Sequence, residues 1–325
     1  MPTMMILDEL YRPVQQELDQ VKTRLGELWV EALALVHGRD LPPPAMGGKL
    51  LRPALCLLSA GASGARDVDY FVSLATGMEV LHLAALVHDD VVDSSDTRRG
   101  QRSLNAQWDN HTAVLGGDYI MARGIEIIGA YDSVPVILSA LDSICQMAAG
   151  ELNNFGQSQA PPDEESCISL ARHKTGSLFA ITCATPALLV ETDCRDALYQ
   201  YGMSLGVAFQ LIDDVLDLAQ DEETLGKPSC RDIVEGKRTL PILYLQEAVD
   251  AEGKQRLHRM RGAEPSDADR DWVHAMLIDT GARARTEKLA KAYATEARAA
   301  LDDLAGTPYR DSMQNLVDFV LARVA

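Results

Sequence analysis

Hydrophobic positions recur at helical spacing along almost the whole chain. Val14–His37 places Leu18, Val21, Leu25, Leu28, Trp29 and Leu33 on one side, the pattern of an amphipathic helix. Pro42–Pro44 and Gly47-Gly48 follow as a rigid, then flexible loop. A second helix is expected from Pro53, because proline suits the first helical position. Val68–Ser94 is apolar nearly all round, the pattern of an interior helix. Asp96–Asn110 is polar and loop-like, and helical patterns resume at Thr112–Ile128 and Val134–Phe155. Asp163 suits an N-cap for Glu164–Lys174. Lys174-Thr175-Gly176 interrupts the pattern before an apolar helix that crosses Pro186, and Cys194–Leu218 follows. Asp221–Lys237 is charged and holds Gly226, Pro228 and Gly236, which marks a loop. Leu240–Val249, Asp267–Asp279, Ala282–Leu304 and Tyr309–Val324 complete the helices. Alternating β-branched runs are absent. The pattern predicts an all-α single domain over residues 1–325, a bundle of roughly ten or more mostly antiparallel helices that can host a site between facing helices.

Charge narrows the partners. The 325 residues carry a net charge of −18, which argues against nucleic acid as a partner. Any phosphate would be held locally, through metal or a small basic cluster. The six cysteines show no CxxC spacing and read as buried thiols of a reducing compartment. No secretory signal opens the chain, and no apolar run reaches the ~18 residues of a spanning helix. A cytoplasmic protein with no transmembrane segment is expected.

The chemistry concentrates where two apolar helices end in acids. Leu81–Gly100 delivers Asp89, Asp90 and Asp93, followed by Arg98 and Arg99. Phe209–Asp217 delivers Asp213, Asp214 and Asp217 in the same DDxxD spacing. Residues i and i+4 share a helix face, so Asp89 and Asp93 point the same way. A single DDxxD reads equally as an acidic helix end in solvent. Two copies on apolar helices favour a hard divalent cation such as Mg²⁺, which combines one or two carboxylates with water and phosphate oxygens. Lys49, Arg52, His82, Lys174, Lys227 and Lys237 add bases on apolar or Gly/Pro-marked segments. Acidic clusters, bases and an apolar interior suit a diphosphate head on a hydrocarbon tail. His82 alone reads more simply as a core histidine, and Lys49 with Arg52 as solvated cations. His88-Asp89 also has the form of the HD pair of metal phosphohydrolases, a reading that leaves the second DDxxD without a role.

The ordered motifs resemble those of the trans-isoprenyl diphosphate synthase (polyprenyl synthetase) family. GGKLLRP at Gly47–Pro53, HLAALVHDDVVDSSDTRRG at His82–Gly100, HKTGSLF at His173–Phe179, FQLIDDVLD at Phe209–Asp217 and LGKPSCRDIVEGKRTLPILY at Leu225–Tyr244 follow the family order. The departure is Leu50, often Arg in the family, at a flanking position where little consequence is expected. The resemblance implies the isoprenoid synthase fold, a homodimer, and Mg²⁺ as cofactor, three ions per site with Mn²⁺ as a substitute. It implies that Asp89, Asp93 and Asp213 ligate these ions, with Asp90, Asp214 and Asp217 supporting. Arg98, Lys174, Thr175, Gln210 and Lys227 would hold an allylic diphosphate. Lys49, Arg52, His82 and Arg99 would hold isopentenyl diphosphate, with Lys237 also on the substrate side. Asp89, Asp93, Arg98, Lys174, Asp213 and Lys227 are the implied catalytic set, and Phe209 and Thr175 are placed to stabilise an allylic cation.

Product length turns on the helix before the first motif. Ala84, Ala85 and Leu81 lie one to two turns above Asp89, and two methyl groups leave open a level that short-chain members often block with a bulky side chain. Ile120, Gly124 and Ile127 are expected at the floor. Together with the likeness of Arg98–Tyr119 to long-chain members, this favours a long all-trans polyprenyl diphosphate, about thirty to fifty carbons, over geranylgeranyl or farnesyl diphosphate. The competing readings are a non-catalytic regulatory subunit, which typically lacks one aspartate motif, and a terpene cyclase, which usually carries an Asn/Ser/Glu motif in second position.

Overall fold

A computed structural model of the chain describes residues 2–35, 48–98, 101–156, 162–219 and 229–324. Helices dominate it: α1 (Pro2–Tyr11), α2 (Gln15–Ala34), α3 (Leu51–Ala62), α4 (Val72–Val92), α5 (Leu104–Gln107), α6 (Asn110–Gly129), α7 (Val134–Gly156), α8 (Glu164–Ala171), α9 (Ser177–Val190), α10 (Arg195–Ala219), α11 (Arg231–Val234), α12 (Leu240–Ala248), α13 (Ala251–Arg259), α14 (Asp267–Asp279), α15 (Ala282–Ala299) and α16 (Pro308–Leu321). Among the described residues the strands are the antiparallel pair β1 (Thr97–Arg98) and β2 (Gln101–Arg102).

The all-α expectation holds, with local differences. Helix α1 and helix α13 escaped the pattern; α13 is polar apart from Gly253, Leu257 and its alanine start, so it offers little apolar periodicity. Helix α3 begins at Leu51 rather than Pro53, with Leu50 at its N-cap in a left-handed conformation, φ 45°. The polar stretch 96–110 contains the β1–β2 turn and α5. Lys174-Thr175-Gly176 does interrupt a helix: Arg172–Gly176 is a π turn that carries α8 directly into α9. Such turns cluster at functional sites because they re-aim side chains without ending the helix.

The core lies around α4, α9 and α10. Eight consecutive residues of α4, Leu74 to Leu81, and most of α9 have almost no access to solvent. The segment Asp69–Val92 is long and apolar enough to cross a membrane, contrary to the expectation from apolar run length. With 67% of its apolar window buried inside the bundle, it is a core helix. Four cysteines, Cys56, Cys167, Cys183 and Cys230, are buried and free, whereas Cys145 is exposed.

Four glycines set helix spacing at two crossings. A Cβ on Gly202 of α10 would meet the Phe179 carbonyl oxygen of α9 at 2.4 Å, and one on Gly206 would meet the Gly176 Cα at 2.8 Å. Backbone-to-backbone approach therefore fixes α10 beside the π turn. On the other side, a Cβ on Gly77 of α4 would lie 2.6 Å from Ile128 of α6, and one on Gly124 of α6 would lie 2.9 Å from Leu81. Ile128, rather than Ile127, is thus the fully buried α6 side chain at this crossing.

Gly202→Ala is expected to destabilise the protein by about 1–3 kcal/mol in urea unfolding, because backbone atoms cannot yield to the new methyl. Gly129→Ala, with open space around it, should change stability by less than about 1 kcal/mol or raise it.

Candidate active site

Both acidic motifs occupy helix C-terminal ends. Asp89 and Asp90 lie in the last turn of α4, with Asp93 its C-cap. Asp213, Asp214 and Asp217 lie in the last two turns of α10. The helix macrodipole is negative there, so each carboxylate is disfavoured by roughly 0.3–1 kcal/mol against a neutral position. Six acids at two such ends require cations.

The described structure supplies three. Lys174 Nζ lies 3.3 Å from Asp89 Oδ2 and also bonds Glu151. Lys237 Nζ lies 2.9 Å from Asp93 Oδ2 and 2.6 Å from Glu235. Arg323 Nη2 lies 2.6 Å from Asp213 Oδ1. Each expected metal-ligating acid thus faces one basic side chain. Burial disfavours the charged lysines, but Asp89 and Glu151 around Lys174, and Asp232, Asp93 and Glu235 around Lys237, outweigh it and raise both above the usual lysine range.

The remaining acids turn inward. Asp90 is buried. Asp214 accepts from Gln210 Nε2 at 2.8 Å, and Gln210 accepts in turn from the Thr175 hydroxyl at 2.5 Å. Asp217 accepts from the Asp232 backbone N–H at 3.0 Å. Asp214 and Asp217 are 7% and 2% exposed, against 37% for the Asp213 side chain. Desolvation, with Asp213 and Asp217 nearby, pushes the Asp214 carboxyl up to about 7 although the Gln210 bond opposes it. The structure therefore separates the second motif into one partly exposed acid and two buried ones.

Local folding aims these groups. The π turn bridging α8 and α9 presents Lys174 and Thr175 towards α4 and α10. Gly236, at φ 70°, makes the turn after α11 that delivers Lys237. Arg323 comes from the 3₁₀ turn Ala322–Val324, which Arg283 holds by donating to the Val324 carbonyl at 2.6 Å. The Arg323 guanidinium lies 4.6 Å from the Phe209 ring centroid, and Arg52 lies 4.7 Å from that of Phe179, while the two rings sit 5.6 Å apart. Lys49 lies 5.3 Å over the Phe319 ring and is lowered from the usual lysine range by burial first and by Arg323 second, with Asp213 opposing. Lys49, Arg52 and Arg323 thus form a basic flank beside Asp213.

The other expected residues divide. His82 is half-buried on α4. Arg99 and Lys227 lie outside the described residues, as does the Arg98 side chain. Ala85 is half-buried on the Asp89 face, Ala84 is fully buried, and Leu81 packs on Gly124. His88 is held between helices: its Nε2 is 3.2 Å from the Val114 carbonyl and 3.4 Å from Asp118. Its contacts are thus with α6. Arg323 and Glu151 were missed. Arg323 follows an ordinary amphipathic helix near the chain end, and no local motif marks it.

Among the described residues no three acidic, histidine or cysteine groups come close enough to enclose a metal ion. Asp89, Asp93 and Asp213 offer only oxygen donors and retain partial exposure. Such a set fits Mg²⁺, which takes few carboxylates and completes its shell with water and phosphate oxygens.

Residues 44–276 match the model of the polyprenyl synthetase family. The chain belongs to that family. An all-trans-nonaprenyl-diphosphate synthase (geranyl-diphosphate specific) of Rhodobacter capsulatus is 34% identical over 320 residues, covering 97% of this polyprenyl synthetase and 98% of the relative. The octaprenyl diphosphate synthase of Escherichia coli is 34% identical over 325 residues, covering 98% and 99%. The crystal structure of a Caulobacter crescentus polyprenyl synthase complexed with calcium and isoprenyl diphosphate superposes with a TM-score of 0.87 at 31% identity, covering 98% of each chain. The family and its all-α fold agree with the motifs read from the sequence, and this polyprenyl synthetase is a prenyltransferase.

In EDTA-treated protein, Asp214 should make stability fall as pH rises from about 4 to about 7. Folded Asp214 keeps its proton to about 7, whereas the unfolded carboxyl loses it near 4. The folded state therefore binds more protons across this window, and raising pH favours unfolding. Asp214→Asn should remove up to about 4 kcal/mol of that decline, read as the difference between urea unfolding curves of the two proteins from acidic to neutral pH.

Proposed function

We propose that this chain, acting as one catalytic domain, condenses isopentenyl diphosphate head-to-tail with an allylic diphosphate to build a long all-trans polyprenyl diphosphate. The observation that carries the reading is a pair of acidic helix ends whose partly exposed acids are each matched to a base, beside a basic flank and an apolar core. Asp89, Asp93 and Asp213 would hold Mg²⁺, three ions in the full assembly, with Asp90, Asp214 and Asp217 supporting. Bound there, the metal supplies charge neutralisation of the leaving diphosphate.

The chain's own groups do the rest. Lys174 and Lys237, already beside Asp89 and Asp93, shift their hydrogen bonds towards the diphosphate as it departs, lowering the barrier to C–O ionisation. Thr175 and Gln210 orient the head group, and Arg98 and Lys227 complete the allylic side. Lys49, Arg52, His82 and Arg99 receive isopentenyl diphosphate. Arg323 joins that flank through its closeness to Lys49 and Asp213. The isopentenyl double bond attacks the allylic carbon, and the released diphosphate takes the proton. Thr175 and Phe209 stabilise the positive charge, although one cation already sits over the Phe209 ring.

The tail runs along α4 past Ala85, whose single methyl on the Asp89 face supports a long product. Ala84 and Leu81 act through packing, since both are fully buried and Leu81 rests on Gly124. A homodimer is proposed through α7, where Val134, Leu138 and Leu141 are exposed at helical spacing, enough apolar surface on one face to favour a second copy. The reaction takes place in an aqueous compartment, the cytoplasm.

Incubation with Mg²⁺, labelled isopentenyl diphosphate and geranyl, farnesyl or geranylgeranyl diphosphate should give chains longer than geranylgeranyl when products are sized. Failure to elongate any primer would refute the enzyme reading, and arrest at geranylgeranyl would refute the long product. Ala85→Phe should shorten the product while turnover continues; unchanged length would mean that the tail takes another course.

A further inference from the structure

The basic flank beside Asp213 is supported from the start of the chain. Tyr11, the last residue of α1, is buried, and its Oη donates to the Lys49 carbonyl at 2.8 Å. The 3₁₀ turn Arg12–Val14 then joins α1 to α2; Pro13 limits its backbone freedom, and Val14 is fully buried. That turn packs on α3 and α16, so the phenol is fixed in the core. Burial, with Glu79 of α4 beside it, keeps the phenol protonated well above the usual tyrosine range, and it therefore stays a donor.

The bond falls on an unusual peptide. The Leu50 carbonyl opens the α3 ladder by accepting from the Ala54 N–H at 3.0 Å. The Lys49 carbonyl lies one residue outside that ladder, so its donor must come from elsewhere, and the Tyr11 hydroxyl is that donor. Leu50 itself stands at φ 45° and ψ 39°, in the left-handed region that disfavours any residue with a Cβ. Its side chain is buried. Two anchors thus hold the Lys49–Leu50 peptide, the packed Leu50 side chain on one side and the phenol hydroxyl on the other. This peptide sets the direction in which Lys49 leaves the backbone and the way Arg52 enters the first turn of α3. Their cationic ends lie over the rings of Phe319 and Phe179, on the flank assigned above to isopentenyl diphosphate. Without the hydroxyl the peptide plane is free to turn, and Lys49 turns with it.

We propose that Tyr11 is a positioning residue for the isopentenyl diphosphate site: its hydroxyl fixes the Lys49–Leu50 peptide and thereby aims Lys49 and Arg52 at the diphosphate. This rests on the role given to Lys49 and Arg52 above. Isopentenyl diphosphate is titrated calorimetrically into the full chain and into Tyr11→Phe, Leu50→Gly, Lys49→Ala and Tyr201→Phe, and KM and kcat are measured for both substrates. Tyr201→Phe is the matched control, because the Tyr201 hydroxyl is buried too but donates to the Met313 carbonyl at 2.8 Å. Tyr11→Phe should weaken isopentenyl diphosphate binding about threefold to tenfold and raise its KM alike, while kcat and the KM for the allylic diphosphate stay unchanged. Tyr201→Phe should leave isopentenyl diphosphate binding as it is. Undiminished affinity in Tyr11→Phe, an equal loss in Tyr11→Phe and Tyr201→Phe, or equal rises in both KM values overturns the positioning role. Should circular dichroism show that Tyr11→Phe does not fold, Leu50→Gly answers in its place, since it removes the other anchor: a loss selective for isopentenyl diphosphate supports the role, and unchanged affinity overturns it. Failure of the underlying reading looks different. A full chain that binds no isopentenyl diphosphate, or Lys49→Ala binding it as tightly as the full chain, removes the site itself and the proposal with it.

Discussion

Anionic side chains at the negative ends of buried helices are the constraint on which this molecule depends. Helices α4 and α10 are held in the core by apolar burial, and each ends in three aspartates where the macrodipole opposes negative charge. Nothing in the apolar interior can relieve that cost. Relief comes from cations brought in by other elements: Lys174 from the π turn, Lys237 from the turn at Gly236, and Arg323 from the C-terminal turn. The same unfavourable charge that a structural helix would avoid is what leads us to propose metal and diphosphate chemistry at these helix ends.

The packing serves that geometry. Gly202 and Gly206 let α10 approach α9 and the π turn at backbone distance, which brings Gln210 to Thr175 and Asp214 into one hydrogen-bonded row. Burial then sorts the acids. Asp89, Asp93 and Asp213 stay partly exposed and meet bases, and Asp214 and Asp217 are bound by an amide side chain and by backbone. Asp214, bound by Gln210 and pushed up to about 7 by desolvation, is placed to hold its neighbours.

Much of this was legible in the chain. Apolar periodicity located α4 and α10, the repeated DDxxD located the acids, and Lys174-Thr175-Gly176 read as an interruption because helical patterning fails there. The family motifs brought Lys49, Arg52 and His82 into the same reading, although each is unremarkable alone. What stayed hidden depends on tertiary contact. Arg323 is set beside Asp213 by the last turn of the chain. Ile128 is buried at the α4–α6 crossing because Gly77 makes room for it. Helix α13 lacks an apolar stripe long enough to announce itself. The division of labour within each acidic motif is a matter of burial, which spacing alone does not encode.

The central claim is that the two acidic helix ends act together through Mg²⁺ on one diphosphate. Its most direct test is the affinity of an unreactive allylic thiolodiphosphate, measured with and without Mg²⁺ for the full chain, Asp89→Ala and Asp213→Ala. Tight binding should require Mg²⁺, and each substitution should weaken it by about a hundredfold or more, on the order of 3 kcal/mol. Tight binding without Mg²⁺, or an undiminished Mg²⁺ effect after loss of either aspartate, would contradict the account.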